Sequence, residues 1–173
     1  MTMWVFGYGS LLWNPGFDAA EAVTATLSGY HRSFCMLSVH HRGTEDKPGL
    51  VLALDQAEAD CVGVAFRVAE AEEERVLADL RARELISSAY LEAHVPLSLE
   101  DGRVVTALAY VINRDHAQYC QFDLETQAQM IARSVGGRGP NPEYLYNTAA
   151  HLTKMGIDDP DMDWLVARVR ALT

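Results

Sequence analysis

The stretches of this chain that favour strands come first and its helical periodicity comes mostly later, and that order constrains the fold more than any other feature. Met3 to Phe6 are apolar or aromatic and run into a glycine turn, as a buried strand does. Thr24 to Val39 mixes β-formers with polar residues. Gly49 to Leu54 and Cys61 to Val68 repeat the pattern, with turn-rich connections such as Thr44 to Pro48. Ala69 to Arg83 changes character: acidic and then basic residues surround Val76, Leu77 and Leu80, which predicts a short amphipathic helix with charges matched to its dipole. Glu84 lies at or just beyond its end. Two more strands follow, Ala89 to Leu99 and Val104 to Ile112, joined by a hairpin turn at Glu100, Asp101 and Gly102. Leu124, Ala128, Ile131 and Val135 then share one helical face, with Gly136 placed to end the helix. A second helix starts at Asn141 and Pro142, which suit the N-cap and first-turn positions, and stops near Gly156. A third begins at Asp159 and Pro160 and carries Met162, Leu165, Val166, Val169 and Leu172 as its apolar stripe. The expectation is an α+β domain, a compact sheet or small barrel covered by helices, rather than a doubly wound α/β fold. With 173 residues, 49% of them hydrophobic, the chain suffices for one sizeable core and is read as a single domain.

Charge and cysteine usage narrow the function. A net charge of −10, with no run of five or more Lys or Arg, argues against a surface that tracks phosphates, so nucleic acid is not the expected partner. Cys35, Cys61 and Cys120 are scattered and form no CxxC pair, which fits a reduced, cytosolic setting. The opening MTMWVFGYGSLLWNPGF has no basic region, and glycines break its apolar run, so it reads as a strand and turn rather than a secretion signal. No stretch of about 18 consecutive apolar residues is present, the length a membrane-spanning helix requires. No membrane partner is expected.

Several motifs fail on inspection. Gly7 and Gly9 begin a GxG, but the third glycine of a dinucleotide fingerprint would fall at Leu12. GYGSL is not GxSxG, so Ser10 is not placed as a hydrolase nucleophile. His40 and His41 are adjacent and would point to opposite faces of a strand, which suits loop residues better than joint metal ligands. Glu70 to Glu74 lacks the alternating ligands of a calcium loop and reads as a solvated helix start. No metal site and no cofactor are expected.

Two features carry chemistry. The turn Gly7-Tyr8-Gly9-Ser10-Leu11 after a strand can bring several backbone N–H groups onto one anionic group, because glycine permits positive φ and close approach. Glu84 supplies a carboxyl group, although Arg81 or Arg83 can equally pair with it. WVFGYGSLLWNPGF, GYHRSFCMLSVHHRGT followed by PGLVLALD, the Arg83-Glu84 pair with Tyr90 six residues on, and GGRGPNPEYL together resemble the ChaC-type glutathione-specific γ-glutamylcyclotransferases over nearly the whole chain. The resemblance implies a small mixed β-barrel with flanking helices. It also implies a γ-glutamyl-binding role for Phe6, Gly7, Tyr8, Gly9, Ser10 and Leu11, a catalytic role for Glu84 and a place in the site for Tyr90. RARELISSAY departs from the family's usual form, in which an aromatic precedes Arg-Glu and glycines precede the tyrosine.

The implied reaction suits these residue types. In glutathione the free α-amine and the γ-carbonyl belong to one glutamyl unit, so attack closes a five-membered lactam, 5-oxoproline, and expels Cys-Gly without water. Holding a near-attack conformer removes up to about 7–11 kcal/mol of barrier in ideally oriented cases. One carboxyl group can take the proton of the attacking amine and return it to the leaving amine, provided partial burial raises its pKa towards neutrality. The loop N–H groups can grip the α-carboxylate or steady the oxyanion, and the sequence leaves both open. Anionic glutathione needs a local cation in so acidic a protein. Arg42 of the HRGT segment is the candidate, with Tyr144 of NPEYL offering either a hydroxyl to substrate or a ring to the core. The alternatives are a cyclotransferase for other γ-glutamyl amines or amino acids, and a non-catalytic regulator that binds a γ-glutamyl ligand.

Overall fold

The computed structural model describes residues 2–85 and 88–173, so Ile86 and Ser87 of the RARELISSAY stretch lie outside the described residues. Five strands form a closed barrel: β1 (Met3–Gly7), β2 (Ala19–Ser38), β3 (Gly49–Val68), β4 (Tyr90–Leu99) and β5 (Val104–Ile112), in the order β1-β3-β2-β4-β5. Its sheet is mixed. β1 runs antiparallel to β3, with Gly7 opposite Val64, and β4 antiparallel to β5, while Val5–Leu108 and Leu54–Val111 are parallel pairings. The expected α+β class holds, with α1 (Ser10–Trp13), α2 (Glu73–Glu84), α3 (Leu124–Arg133), α4 (Asn141–Lys154) and α5 (Pro160–Leu172) accompanying the strands.

The chain divides into two compact units, Met1–Arg32 with Leu54–His116, and Ser33–Ala53 with Ala117–Thr173. In the first, Val76 and Leu80 of α2 bury against Val5, Val68, Leu108 and Tyr110, and Leu11 joins the same cluster. That packing explains why a helix so poor in apolar residues is stable here: Val76 and Leu80, with the partly buried Leu77, suffice once a sheet face receives them. A 3₁₀ turn at Glu70–Glu72 precedes α2, and Arg81 and Arg83 occupy its last turn, where cations favour the helix dipole.

Several boundaries differ from expectation, β2 among them, which begins at Ala19 rather than Thr24. Gly49 to Val68 is one strand of 20 residues rather than two. The polar stretch between them stays extended, and at its start Asp55 accepts a 2.7 Å hydrogen bond from Arg114. α3 stops at Arg133, two residues before Val135, because the Ser134 hydroxyl donates to Met130 O at 2.6 Å and lies 3.0 Å from Pro48 O. Val135 and Gly136 instead pair with Gly139 and Pro140 as the short strands β6 (Val135–Gly136) and β7 (Gly139–Pro140). Gly136 is therefore not a helix cap: a Cβ there would meet the backbone nitrogens of Arg42 and Gly43 at 2.5 Å.

Asn141 also works differently from an N-cap. Pro140 occupies that position, and the fully buried Asn141 amide accepts from Leu50 N and donates to Leu50 O, both at 2.8 Å, pairing α4 with a strand backbone. Asn141→Ala leaves both Leu50 groups buried without these partners, which at about 1–3 kcal/mol each predicts a loss of about 2–6 kcal/mol in urea denaturation. A loss under about 0.5 kcal/mol, the range of ordinary surface substitutions, would show that the pairing is dispensable.

Candidate active site

β1 delivers Phe6 into the buried interior and ends at Gly7, after which Tyr8 and Gly9 lead into the single turn of α1. Neither glycine has positive φ; Gly9 stands at −142°. The reason for Gly7 is proximity instead, since a Cβ there would lie 2.7 Å from Phe66 Cε2. Gly63 on β3 is tighter still. A Cβ on it would collide with the carbonyl oxygen of Gly7 and approach the Phe6 ring to 2.8 Å.

The loop is tied down at four points. Tyr8 is buried, and its hydroxyl donates to Tyr110 O at 3.0 Å. Its carbonyl accepts from the buried Arg32 Nε at 2.8 Å, and the same guanidinium reaches Val62 O. From α2, Arg83 donates to Ser10 Oγ at 3.0 Å and to Asn14 O at 2.5 Å. Leu11 anchors the following residue in the core cluster.

Glu84 is the last residue of α2, with its side chain 14% exposed and Oε1 3.5 Å from Arg83 Nε. The arginine that grips the loop thus also meets the candidate catalytic carboxyl. Tyr90, six residues on, opens β4 opposite Ile112 and packs on the cluster beneath α2. Beside them Tyr110 Oη donates to Glu92 Oε1 at 3.0 Å, and Glu92 takes a forked pair of 2.9 Å bonds from Arg81. The Arg81 guanidinium holds the Glu92 carboxyl below the usual carboxylate range against the opposing effect of burial. Burial first, then the bond to Glu92 and the negative charges of Glu92 and Glu84, push the Tyr110 hydroxyl far above its ordinary value. Tyr110 is therefore a neutral hydrogen-bond donor in the field of Glu84.

Arg42 and Tyr144 lie in the second unit. Arg42 is buried, with Nη1 donating to Pro140 O at 3.2 Å, 3.8 Å from Glu143, and its guanidinium 5.8 Å from the Tyr144 ring centroid. Tyr144 Oη accepts from Leu52 N at 3.1 Å, and its ring meets Phe34 edge-on. Burial, followed by the positive charges of Arg138, His40 and Arg42, pushes the His41 imidazole down. Among the described residues no three His, Cys, Asp or Glu side chains gather as a metal would require, and no helix is long and apolar enough to cross a membrane.

Sequence reasoning assigned no role to Gly63, Arg32 or Tyr110, and it named Arg83 only as a partner for Glu84, not for the loop. An arginine inside the strand segment YHRSFCM was a visible signal for Arg32. The others are visible only once β1, β3, β5 and α2 are brought together. A cavity of about 420 Å³ between α2 and the neighbouring strands is lined by Leu77, Arg81, Glu92 and His94 among others, and by none of Phe6–Leu11, Glu84 or Tyr90.

Residues 3–172 match the family model for ChaC-like proteins. The chain belongs to the ChaC-like family. It is 38% identical over 172 residues to the glutathione-specific γ-glutamylcyclotransferase of Escherichia coli, covering 98% of this chain and 74% of that protein. It is 32% identical to γ-glutamylcyclotransferase 2-3 of Arabidopsis thaliana, over 98% of this chain and 89% of that one. The fold is similar to that of the yeast γ-glutamyl cyclotransferase specific to glutathione, with a TM-score of 0.88 at 23% identity, covering 98% and 96% of the two chains. This ChaC-like protein thus has the γ-glutamylcyclotransferase barrel expected from its sequence.

Gly63→Ala tests whether the strand approach sets the loop. Overpacking against backbone predicts a loss of about 1–3 kcal/mol in stability. Displacement of the Gly7 carbonyl predicts a fall of about 10- to 100-fold in glutathione kcat/KM. Parent kinetics in this variant would show that the loop position does not depend on Gly63.

Proposed function

We propose that this protein is a glutathione-specific γ-glutamylcyclotransferase, a carbon–nitrogen lyase that releases 5-oxoproline and Cys-Gly in a reducing, cytosolic setting. The observation that carries the reading is the fixed neighbourhood of two groups: the FGYGSL loop, and the Glu84 carboxyl that shares Arg83 with it. The names of the relatives support the substrate, and the buried Cys35, Cys61 and Cys120, which form no disulfide among the described residues, are in keeping with the setting.

In this reading the loop residues Phe6–Leu11 hold the γ-glutamyl group, with Tyr90 and Tyr110 beside it. Glu84 takes a proton from the α-ammonium, the freed amine attacks the γ-carbonyl carbon, and the tetrahedral adduct forms. Collapse breaks the bond to the cysteinyl nitrogen, which receives that proton from Glu84, and the attacking nitrogen passes its second proton through the same carboxyl to the released amine, leaving a lactam N–H and the Cys-Gly ammonium. The products contain all the atoms of the substrate, and no redox change occurs. Holding the amine against its own carbonyl restricts the glutamyl chain to the near-attack conformer.

Glu84→Gln keeps volume and hydrogen bonding but cannot carry the proton. kcat is expected to fall by about 10²–10⁴-fold with the melting temperature little changed. A folded variant within about threefold of the parent, far short of that effect, removes Glu84 from the mechanism. Arg42 and Tyr144 are assigned to substrate binding in the same reading, so Arg42→Ala should raise KM more than it lowers kcat. An unchanged KM with a lower melting temperature would return Arg42 to holding the start of α4.

A further inference from the structure

We propose that Arg83 is a positioning residue of this reaction: its guanidinium sets the γ-glutamyl loop against the end of α2 and fixes the charge state in which Glu84 begins the cycle. The inference rests on the reading of Glu84 as the proton carrier. Its basis is geometric. One side chain, 23% exposed, spans Asn14 O at 2.5 Å, Ser10 Oγ at 3.0 Å and Glu84 Oε1 at 3.5 Å. The first two contacts lie on either end of α1 and the third on α2, elements far apart in sequence. The guanidinium meets the carbonyl, the hydroxyl and the carboxylate through three separate nitrogens, Nη1, Nη2 and Nε, a spread that the single ammonium nitrogen of a lysine does not have. The neighbouring Arg81 is engaged elsewhere, with Glu92 across on β4.

The charged surroundings of Glu84 give Arg83 its second effect. From α2 comes the Arg83 cation at 3.5 Å; from β5 comes the neutral hydroxyl of Tyr110; behind that hydroxyl stands Glu92 of β4, already paired with Arg81. A cation so close favours the ionised carboxylate, the form that accepts the first proton from the substrate ammonium. It works against burial, which favours the neutral acid. The pair thus sets a cation against the carboxyl proposed to receive the proton, while the fork holds the loop where the amine is delivered.

Two variants separate these roles. Arg83→Lys keeps a cation but loses the fork, so KM for glutathione should rise about 5- to 20-fold, with the acid limb of the kcat/KM–pH profile within about 0.3 unit of the parent's. Arg83→Gln loses both, so KM should rise similarly and the acid limb should move to higher pH by about 0.5–1 unit. Melting temperatures and Glu84→Gln are measured alongside. A purely structural role for Arg83 would lower the melting temperature of both variants and leave the acid limb where it was, which overturns the inference. If Arg83→Gln does not fold, Arg83→Lys with a parental KM overturns it as well. An inactive Glu84→Gln beside an unmoved limb in Arg83→Gln defeats the Arg83 inference alone, whereas an active Glu84→Gln defeats the reading of Glu84 and this inference with it.

Discussion

β3 carries a glycine, Gly63, at the point where any side chain would strike the Gly7 carbonyl and the Phe6 ring. The loop that follows Gly7 inherits its position from that approach. Tyr8 is then clasped from two directions, its hydroxyl by the Tyr110 carbonyl and its own carbonyl by Arg32. None of these bonds is exceptional, and a typical one contributes only about 1 kcal/mol net. Their effect is cumulative constraint: a turn held by backbone carbonyls and buried side chains loses little further freedom when it closes on a ligand, and so binding costs less.

The same economy shapes the electrostatics. The chain carries a net charge of −10, yet Arg32 and Arg83 both bond the loop, and Arg81 stands beside Arg83 in the last turn of α2. Arg81 is committed to Glu92, and that pair in turn gives Tyr110 Oη an acceptor. Arg83 faces the loop and Glu84 instead. Two arginines two residues apart on one helix end therefore serve different carboxylates, because successive odd positions on a helix point in directions about 200° apart. In the proposed reading an anionic substrate benefits from this division, which leaves the loop beside a guanidinium rather than beside a bare carboxylate.

Much of this was legible in the chain. Strand-rich beginnings and helical endings gave the α+β class, and Asp159 with Pro160 marked the start of α5 correctly, the Asp159 carboxylate accepting from Met162 N at 3.1 Å. Glu84 fell at the end of α2 as the charge pattern of that helix predicts. What escaped was set by distant partners. Asn141 resembles an N-cap in sequence, but the Leu50 backbone offers its amide two bonds at once. Val135 continues the stripe of α3, yet the Ser134 hydroxyl, donating back into the last turn, ends the helix first. Gly63 looks like an ordinary strand residue, and Arg83 like a partner for Glu84 alone, until β1 and α1 arrive beside them, since no local pattern encodes a contact across 56 or 73 positions of chain.

The central claim is that the glutamyl amine, not water, attacks the γ-carbonyl. The most direct measurement is to incubate the purified protein with glutathione in ¹⁸O-labelled water and quantify the products by mass spectrometry. The account predicts 5-oxoproline and Cys-Gly in equal amounts, with no label in the 5-oxoproline and no accumulation of free glutamate. Labelled glutamate as the main product would contradict it, because that outcome requires hydrolysis of the γ-glutamyl bond and leaves the cyclisation geometry of the loop and Glu84 without a purpose.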